Sequence, residues 1–210
     1  MNLVFLGPPG AGKGTVAKKV TERFFLVHIS TGDLFREAIR NENPLGLQIK
    51  SVLAAGKLVT DAITIEMVRQ RLAKKDTKSG FILDGFPRTI AQGEALLEMV
   101  PIDHVVNFVL DESTIVKRLS GRRICKSTGK TYHILYNPPL VDGIDDETGE
   151  ELIQREDDRE EAILQRIAVY EKETAPLIEF FKERALLRVV DAQKTPQEVF
   201  QQTAELTGLV

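Results

Sequence analysis

Cysteine is all but absent: the 210-residue chain carries one, Cys125. A single thiol closes no intramolecular disulfide, so stability must come from burial, and a reducing compartment, the cytoplasm, is the expected location. Long apolar runs are missing as well. No eighteen consecutive residues are apolar, which argues against a membrane-crossing helix. The opening residues Met1-Asn2-Leu3-Val4-Phe5-Leu6-Gly7 lack the basic lead and extended apolar stretch of a secretory leader. There is no basic tail, and the net charge is −3, so the broad cationic face that nucleic-acid binding needs is not expected. An anionic partner must instead meet a local cluster of cations.

What is present is ordinary for a globular chain: 42% hydrophobic and 28% charged residues, with 15 Gly and 9 Pro. At this length roughly 70% of the unfolded surface can be buried, enough for one sizeable core with a smaller appended unit. Five short apolar runs, at residues 3–6, 27–29, 81–83, 105–110 and 187–190, are bounded by Gly, Asp or Pro and read as buried strands. Residues 17–24, 34–39, 63–72, 94–99, 114–119 and 163–170 place apolar side chains three and four apart, as amphipathic helices do. The alternation predicts an α/β fold with a parallel sheet flanked by helices. Pro176 falls inside a helical stretch spanning residues 160–184 and must bend or split it, because it lacks the donor a helix interior uses.

Residues 121–158 break the rhythm. They show no helical period, and turn signals recur at Thr128-Gly129, Asn137-Pro138-Pro139, Asp142-Gly143 and Thr148-Gly149, which predicts a small hairpin-rich insertion. Residues 142–161 hold eleven acidic side chains against Arg155 and Arg159, and such a run is expected to form a solvated outer face.

Three segments carry candidate chemistry. Gly7-Pro8-Pro9-Gly10-Ala11-Gly12-Lys13-Gly14-Thr15 lies between a strand and a helix and reads as a phosphate-binding loop. Its glycines let backbone N–H groups turn inward, the helix N-terminus adds partial positive charge, and Lys13 reaches the outer phosphates. The strict form has Ser or Thr directly after the lysine to hold magnesium, whereas Gly14 stands there and Thr15 follows, so direct ligation by Thr15 is not expected. Ser30-Thr31-Gly32-Asp33 has the spacing of an ordinary helix cap, and the open helix end with Thr31 and Arg36 also suits an anion; both readings hold together. Asp84-Gly85-Phe86-Pro87-Arg88 puts a carboxylate at the carboxyl end of a buried strand, where open α/β sheets bind ligands, with an arginine fork four residues on. Lys13, Arg36, Arg88, Arg122, Arg155 and Arg166 together match the need of phosphoryl transfer for clustered, desolvated cations rather than a general base.

Together with Lys57-Leu58-Val59, Thr89, Gln92, Gly121-Arg122-Arg123, Tyr132-His133 and Thr174-Ala175-Pro176-Leu177, these blocks resemble the bacterial-type adenylate kinases with a long lid, across nearly the whole chain. The resemblance implies a P-loop core at residues 1–29, 60–120 and 159–210, a helical AMP-binding segment at 30–59, and a β-rich lid at 121–158. It implies the reaction ATP + AMP ⇌ 2 ADP with Mg2+, in a monomer whose partners are these nucleotides. The ATP side would be Gly10, Ala11, Gly12, Lys13, Gly14, Thr15, Arg118, Arg122, Thr131, Tyr132 and Lys194. The AMP side would be Thr31, Arg36, Lys57, Leu58, Val59, Gly85, Phe86, Pro87, Arg88, Gln92, Arg155 and Arg166. Lys13, Arg88, Arg122, Arg155 and Arg166 would carry catalysis, and Asp33 and Asp84 would hold magnesium through water.

Some members of that family bind structural zinc in the lid through four cysteines. Here those positions read Cys125, Thr128, Asp145 and Thr148, a poor tetrahedral donor set for zinc, so no zinc is expected and a polar network joining the lid hairpins is. One alternative, a P-loop GTPase switch, requires Asn-Lys-x-Asp, which the chain lacks; a nearer one is another nucleoside monophosphate kinase, with GTP as donor or UMP or CMP as acceptor.

Overall fold

The computed structural model describes residues 1–42 and 44–209. The chain runs through β1 (Asn2–Leu6), α1 (Lys13–Phe24), β2 (Val27–Ser30), α2 (Thr31–Arg40), α3 (Pro44–Ala54), α4 (Asp61–Leu72), β3 (Phe81–Asp84), α5 (Ile90–Met99), β4 (His104–Val109) and α6 (Glu112–Ser120). It continues through β5 (Arg122–Cys125), β6 (Thr131–His133), β7 (Leu152–Ile153), α7 (Glu160–Val169), α8 (Pro176–Lys182), β8 (Leu187–Asp191) and α9 (Pro196–Thr207).

All five predicted strands are present and form one parallel sheet in the order β2-β3-β1-β4-β8. The near-continuous apolar runs of β1, β3 and β4 follow from burial on both faces, whereas the edge strands β2 and β8 interleave polar, partly exposed residues. Leu3 and Phe5 of β1 point to one side, where α1, α6, α7 and α9 pack through Val16, Ile115, Ile163 and Val199. Val4 and Leu6 point to the other, against Val68 of α4, Leu96 of α5 and Phe181 of α8. β1 lies centrally, and β3 and β4 flank it, so the carboxyl end of β1 is the switch point where such sheets bind ligands.

Two smaller clusters stand outside this double layer. Phe35, Ile49 and Val59 form a core for α2 and α3, and Cys125, Tyr132 and Leu152 form one inside the three-stranded antiparallel sheet β6-β5-β7. That sheet is the predicted insertion. Pro176 splits the long helix as expected: α7 ends in a π-helical turn, Tyr170–Thr174, closed by the Ala175 N–H on Tyr170 O at 2.8 Å, and the proline opens α8.

The solvated-face reading of residues 142–161 is corrected at three carboxylates. Asp145 and Asp158 are 1% and 0% exposed, and Asp157 is half-buried. Asp145 is satisfied beside the small antiparallel sheet by the Tyr132 hydroxyl and the Thr148 N–H, and Asp158 faces arginines. A buried anion persists only where donors surround it, and a count of charges along the chain does not reveal those donors.

Candidate active site

The loop after β1 bends where its glycines permit. Gly10 and Gly12 have φ of 80° and 84°, and a Cβ at Gly7 would lie 2.6 Å from Phe108 O. Gly12 caps α1 with no side-chain acceptor, so the first N–H groups of that helix are left to a ligand. Lys13 Nζ donates to Gly7 O and Pro8 O, both at 2.8 Å. It keeps some accessible surface at the cleft floor, but protein encloses it on most sides. This desolvation, with lesser repulsion from Arg88, Arg166 and Arg122 against the pull of Asp84, lowers its pKa to about 8. Gly14, the departure from the strict motif, has Asp84 Oδ2 beside it: a Cβ there would be 3.4 Å away.

The second and third segments meet over Gly85, whose φ is 82°. The Thr31 hydroxyl donates to Gly85 O at 2.8 Å, and Arg88 Nε donates to the same oxygen at 2.8 Å. A Cβ on Gly85 would lie 2.9 Å from both Arg88 Nη2 and Thr31 Oγ1, so only glycine admits the guanidinium here. Ser30 accepts the Asp33 N–H at 3.2 Å, as its cap reading predicted, and the anion-site reading of the same helix end stays compatible. Arg88 is held further by its N–H on Gln92 Oε1 (2.8 Å) and by its carbonyl, which accepts from the Thr174 hydroxyl (2.9 Å). Burial, and then the nearby Arg166, bring the Arg88 pKa down to about 10.

Across the cleft, Arg122 grips Asp158 through Nε at 2.7 Å and through Nη2. Arg166 Nη1 donates to Asp158 Oδ1 at 3.0 Å and to Asp157 O at 2.9 Å. Arg155 is the least satisfied: its buried Nε has no hydrogen-bond partner among the described residues. Burial first, then Arg36 and Arg122, lower its pKa to about 9. Thus Lys13, Arg36, Arg88, Arg122, Arg155 and Arg166 lie together, each within electrostatic reach of others in the set. Sequence reasoning missed the carboxylates that pin them, Asp157 and Asp158, and also Asp61, whose Oδ1 accepts from Gln92 Nε2 at 2.7 Å.

The remaining candidates are placed unevenly. Arg118, on α6, donates from Nη2 to Ala192 O at 3.0 Å, which ties it to the β8–α9 loop that carries the exposed Lys194. Thr131 is exposed on β6, whereas Tyr132 turns inward to Asp145. Lys57 is exposed, Leu58 half-buried, and Val59 packs inside the α2–α3 cluster. Phe86 is fully buried, and Pro87 follows it through a cis peptide bond. Thr15 is exposed on α1, and Ala11 is buried.

For magnesium, Asp84 is the fitting donor. Burial raises its pKa, but the His28 imidazole 3.4 Å away, Lys13 and Arg88 more than offset this, so it stays ionised. Asp33 is paired with Arg36. Among the described residues no group of three or more His, Cys, Asp or Glu is arranged to hold an ion. An oxygen-loving ion that keeps its waters and takes phosphate ligands fits such a sparse site. In the three-stranded insertion, the Cys125 thiol contacts Ser127 Oγ (3.3 Å) and Thr148 Oγ1 (3.6 Å) and donates to Glu150 Oε2 (3.4 Å). Asp145 and Thr148 join the expected network, and Thr128, whose Oγ1 accepts the local Lys130 N–H, also reaches the Cys125 thiol through its side chain.

The family model for adenylate kinase matches residues 5–186. The chain is 49% identical over 213 residues to the adenylate kinase of Bacillus licheniformis, an alignment covering 99% of this chain and 98% of that one. It is 48% identical to the Bacillus subtilis adenylate kinase with the same coverage, and 49% identical over 199 residues to that of Treponema denticola, covering 95% of each. With its phosphate loop, its convergent arginines and this kinship over its whole length, the chain belongs to the adenylate kinase family.

Proposed function

We propose that this chain catalyses ATP + AMP ⇌ 2 ADP with Mg2+, as a cytoplasmic monomer. The observation that carries the reading is the convergence of six cations from the phosphate loop, α2, the Asp84–Arg88 segment, the lid flank and α7 on one cleft. Two nucleotides bring roughly six negative charges, and the transferred group spreads its charge over its equatorial oxygens, so fixed cations lower the barrier without a base. The nucleophile is a phosphate oxygen that is already anionic.

The helix end at Gly12 and Lys13 would hold the donor phosphates, with Arg118, Thr131, Tyr132 and Lys194 on the donor nucleoside. Tyr132 would contribute its backbone, since its hydroxyl is engaged inside the lid. Thr31, Arg36, residues 57–59, Gly85 to Arg88 and Gln92 would hold the acceptor, and Arg122, Arg155 and Arg166 would lie over the transferred group. Asp84, and secondarily Asp33, would hold magnesium through water, and the ion would neutralise charge on the donor phosphates. Residues 121–158 act as a lid and 30–59 as an acceptor flap, and their approach keeps water from competing for the phosphoryl group.

The test is a substrate panel with ATP or GTP crossed with AMP, GMP, CMP and UMP. Fast diphosphate formation is expected from ATP with AMP, abolished by chelating magnesium, and reduced about 10²-fold or more in kcat by Arg88→Ala. Turnover confined to CMP or UMP would overturn the acceptor assignment.

A further inference from the structure

Gln92 is buried in the first turn of α5 with its amide pinned on both sides. Oε1 accepts the Arg88 N–H at 2.8 Å, and Nε2 donates to Asp61 Oδ1 at 2.7 Å. Asp61 opens α4, and its other oxygen accepts from the Thr89 hydroxyl at 3.1 Å. Thr89 in turn caps α5 by accepting the Gln92 N–H at 3.2 Å. The carboxylate therefore ties two helix starts together and meets the amide from a fixed place.

The chemistry of the two tethers is one-way. A backbone N–H only donates and a carboxylate only accepts, so exchanging the amide's N and O would set N–H against N–H and oxygen against oxygen. Buried as the amide is, no water repairs either clash. A primary amide offers two N–H groups and two oxygen lone pairs, so one of each is left for a ligand, in an order that cannot be reversed.

We propose that Asp61 is a specificity-positioning residue. By fixing the direction of the Gln92 amide, it makes the acceptor pocket read a base edge with an exocyclic amine beside a ring-nitrogen acceptor and refuse one with a carbonyl beside a ring N–H. Adenine and cytosine carry the first order, and guanine and uracil the second. The inference rests on the reading that the acceptor base meets Gln92. Asp61 touches no nucleotide and acts through Gln92.

The test is Asp61→Asn, which keeps the shape but lets Gln92 find either a donor or an acceptor. Steady-state kinetics with ATP and each of AMP, CMP, GMP and UMP should show kcat/KM selectivity for AMP over GMP and UMP falling about tenfold, the worth of one hydrogen bond. Selectivity for AMP over CMP should move less than about twofold on the same reasoning, because both bases share one edge order. KM for ATP should be unchanged. Thr89→Val, which frees the second oxygen of Asp61, should shift selectivity the same way by less, and stands in if Asp61→Asn does not fold. Selectivity unchanged, or all four acceptors losing activity in parallel, overturns the proposal, since the latter is what a purely structural tie would give. Gln92→Leu separates the levels: a raised KM for AMP keeps the base at Gln92 whatever Asp61 does, and an unaltered KM overturns that placement and the proposal with it.

Discussion

Lys13 is the side chain with most to change when a nucleotide arrives. Its ammonium rests on two loop carbonyls and is held to a pKa of about 8 against an ordinary 10.5, chiefly by burial. Between those two values the unfolded chain binds more protons than the native one. Lys13 therefore makes the nucleotide-free protein more stable as pH rises through that window, and its charging cost is fully present below about 8. Phosphate oxygens in place of the carbonyls favour the charged form, so binding must draw in a proton. At pH 8.5 roughly three-quarters of Lys13 is neutral before binding, and calorimetry in buffers of different ionisation enthalpy should record net proton uptake on adding ATP. Lys13→Arg, which does not titrate there, should remove the uptake. Native protein that binds ATP at this pH with no proton exchange would contradict the assignment of Lys13 to the phosphates.

At the scale of elements, β1, β3 and β4 were legible because a strand buried on both faces has a near-continuous apolar run, and the edge strands β2 and β8 by short apolar stretches at their ends of the sheet. Two helices were not legible from their period. α3 contains Gly46, which reads as a breaker, yet α3 crosses α2 so closely there that a Cβ would lie 2.1 Å from Ala38 O. α9 announces itself by a capping box, Thr195 with Glu198, a signal in the sequence that the search for period passed over. In the site, the cations were legible from their motifs, whereas their buried counter-charges were not, because Asp157 and Asp158 sit in a run that looks uniformly solvated. The lid shows the same difference between neighbouring carboxylates. Burial alone would raise the pKa of Asp145, but N–H groups of Glu147 and Thr148 and the Tyr132 and Thr148 hydroxyls bring it to about 2. Its support of the lid is present above the ordinary carboxylate range and fades as pH falls toward about 2. Asp145→Asn, which turns one acceptor into a donor facing donors, should speed amide exchange across residues 122–153, while Glu147→Gln, at an exposed pair with Lys130, should leave exchange unchanged. Equal effects from both would contradict this arrangement. Elemental analysis is expected to find no stoichiometric zinc.

On the scale of the whole molecule, the cleft is built from parts that belong to separate cores: the phosphate loop to the sheet, Arg36 to the α2–α3 cluster, Arg122 and Arg155 to the lid and its flank. Burial first, and then repulsion among these cations, lowers the pKa values of Lys13, Arg88 and Arg155, so bringing the parts together costs free energy that a polyanion between them offsets. Chain ordering is thereby coupled to ligand charge rather than to ligand shape alone.

The contact at Gly56 sets the tolerance of that assembly. With a φ of 69° and its bare Cα turned toward α7, it leaves no room: a Cβ would sit 2.7 Å from Ala162 O and 3.0 Å from Arg166 Cγ. One added methyl would act as a doorstop, holding the segment that carries Lys57 to Val59 away from Arg166. Gly56→Ala should raise the KM for AMP far more than that for ATP, with a backbone cost of only about 1–2 kcal/mol in stability. An unchanged KM for AMP would mean that the two parts never need to meet so tightly. The hinge of a door is usually sought where it bends; here the clearance at the jamb, one hydrogen wide, decides whether it shuts.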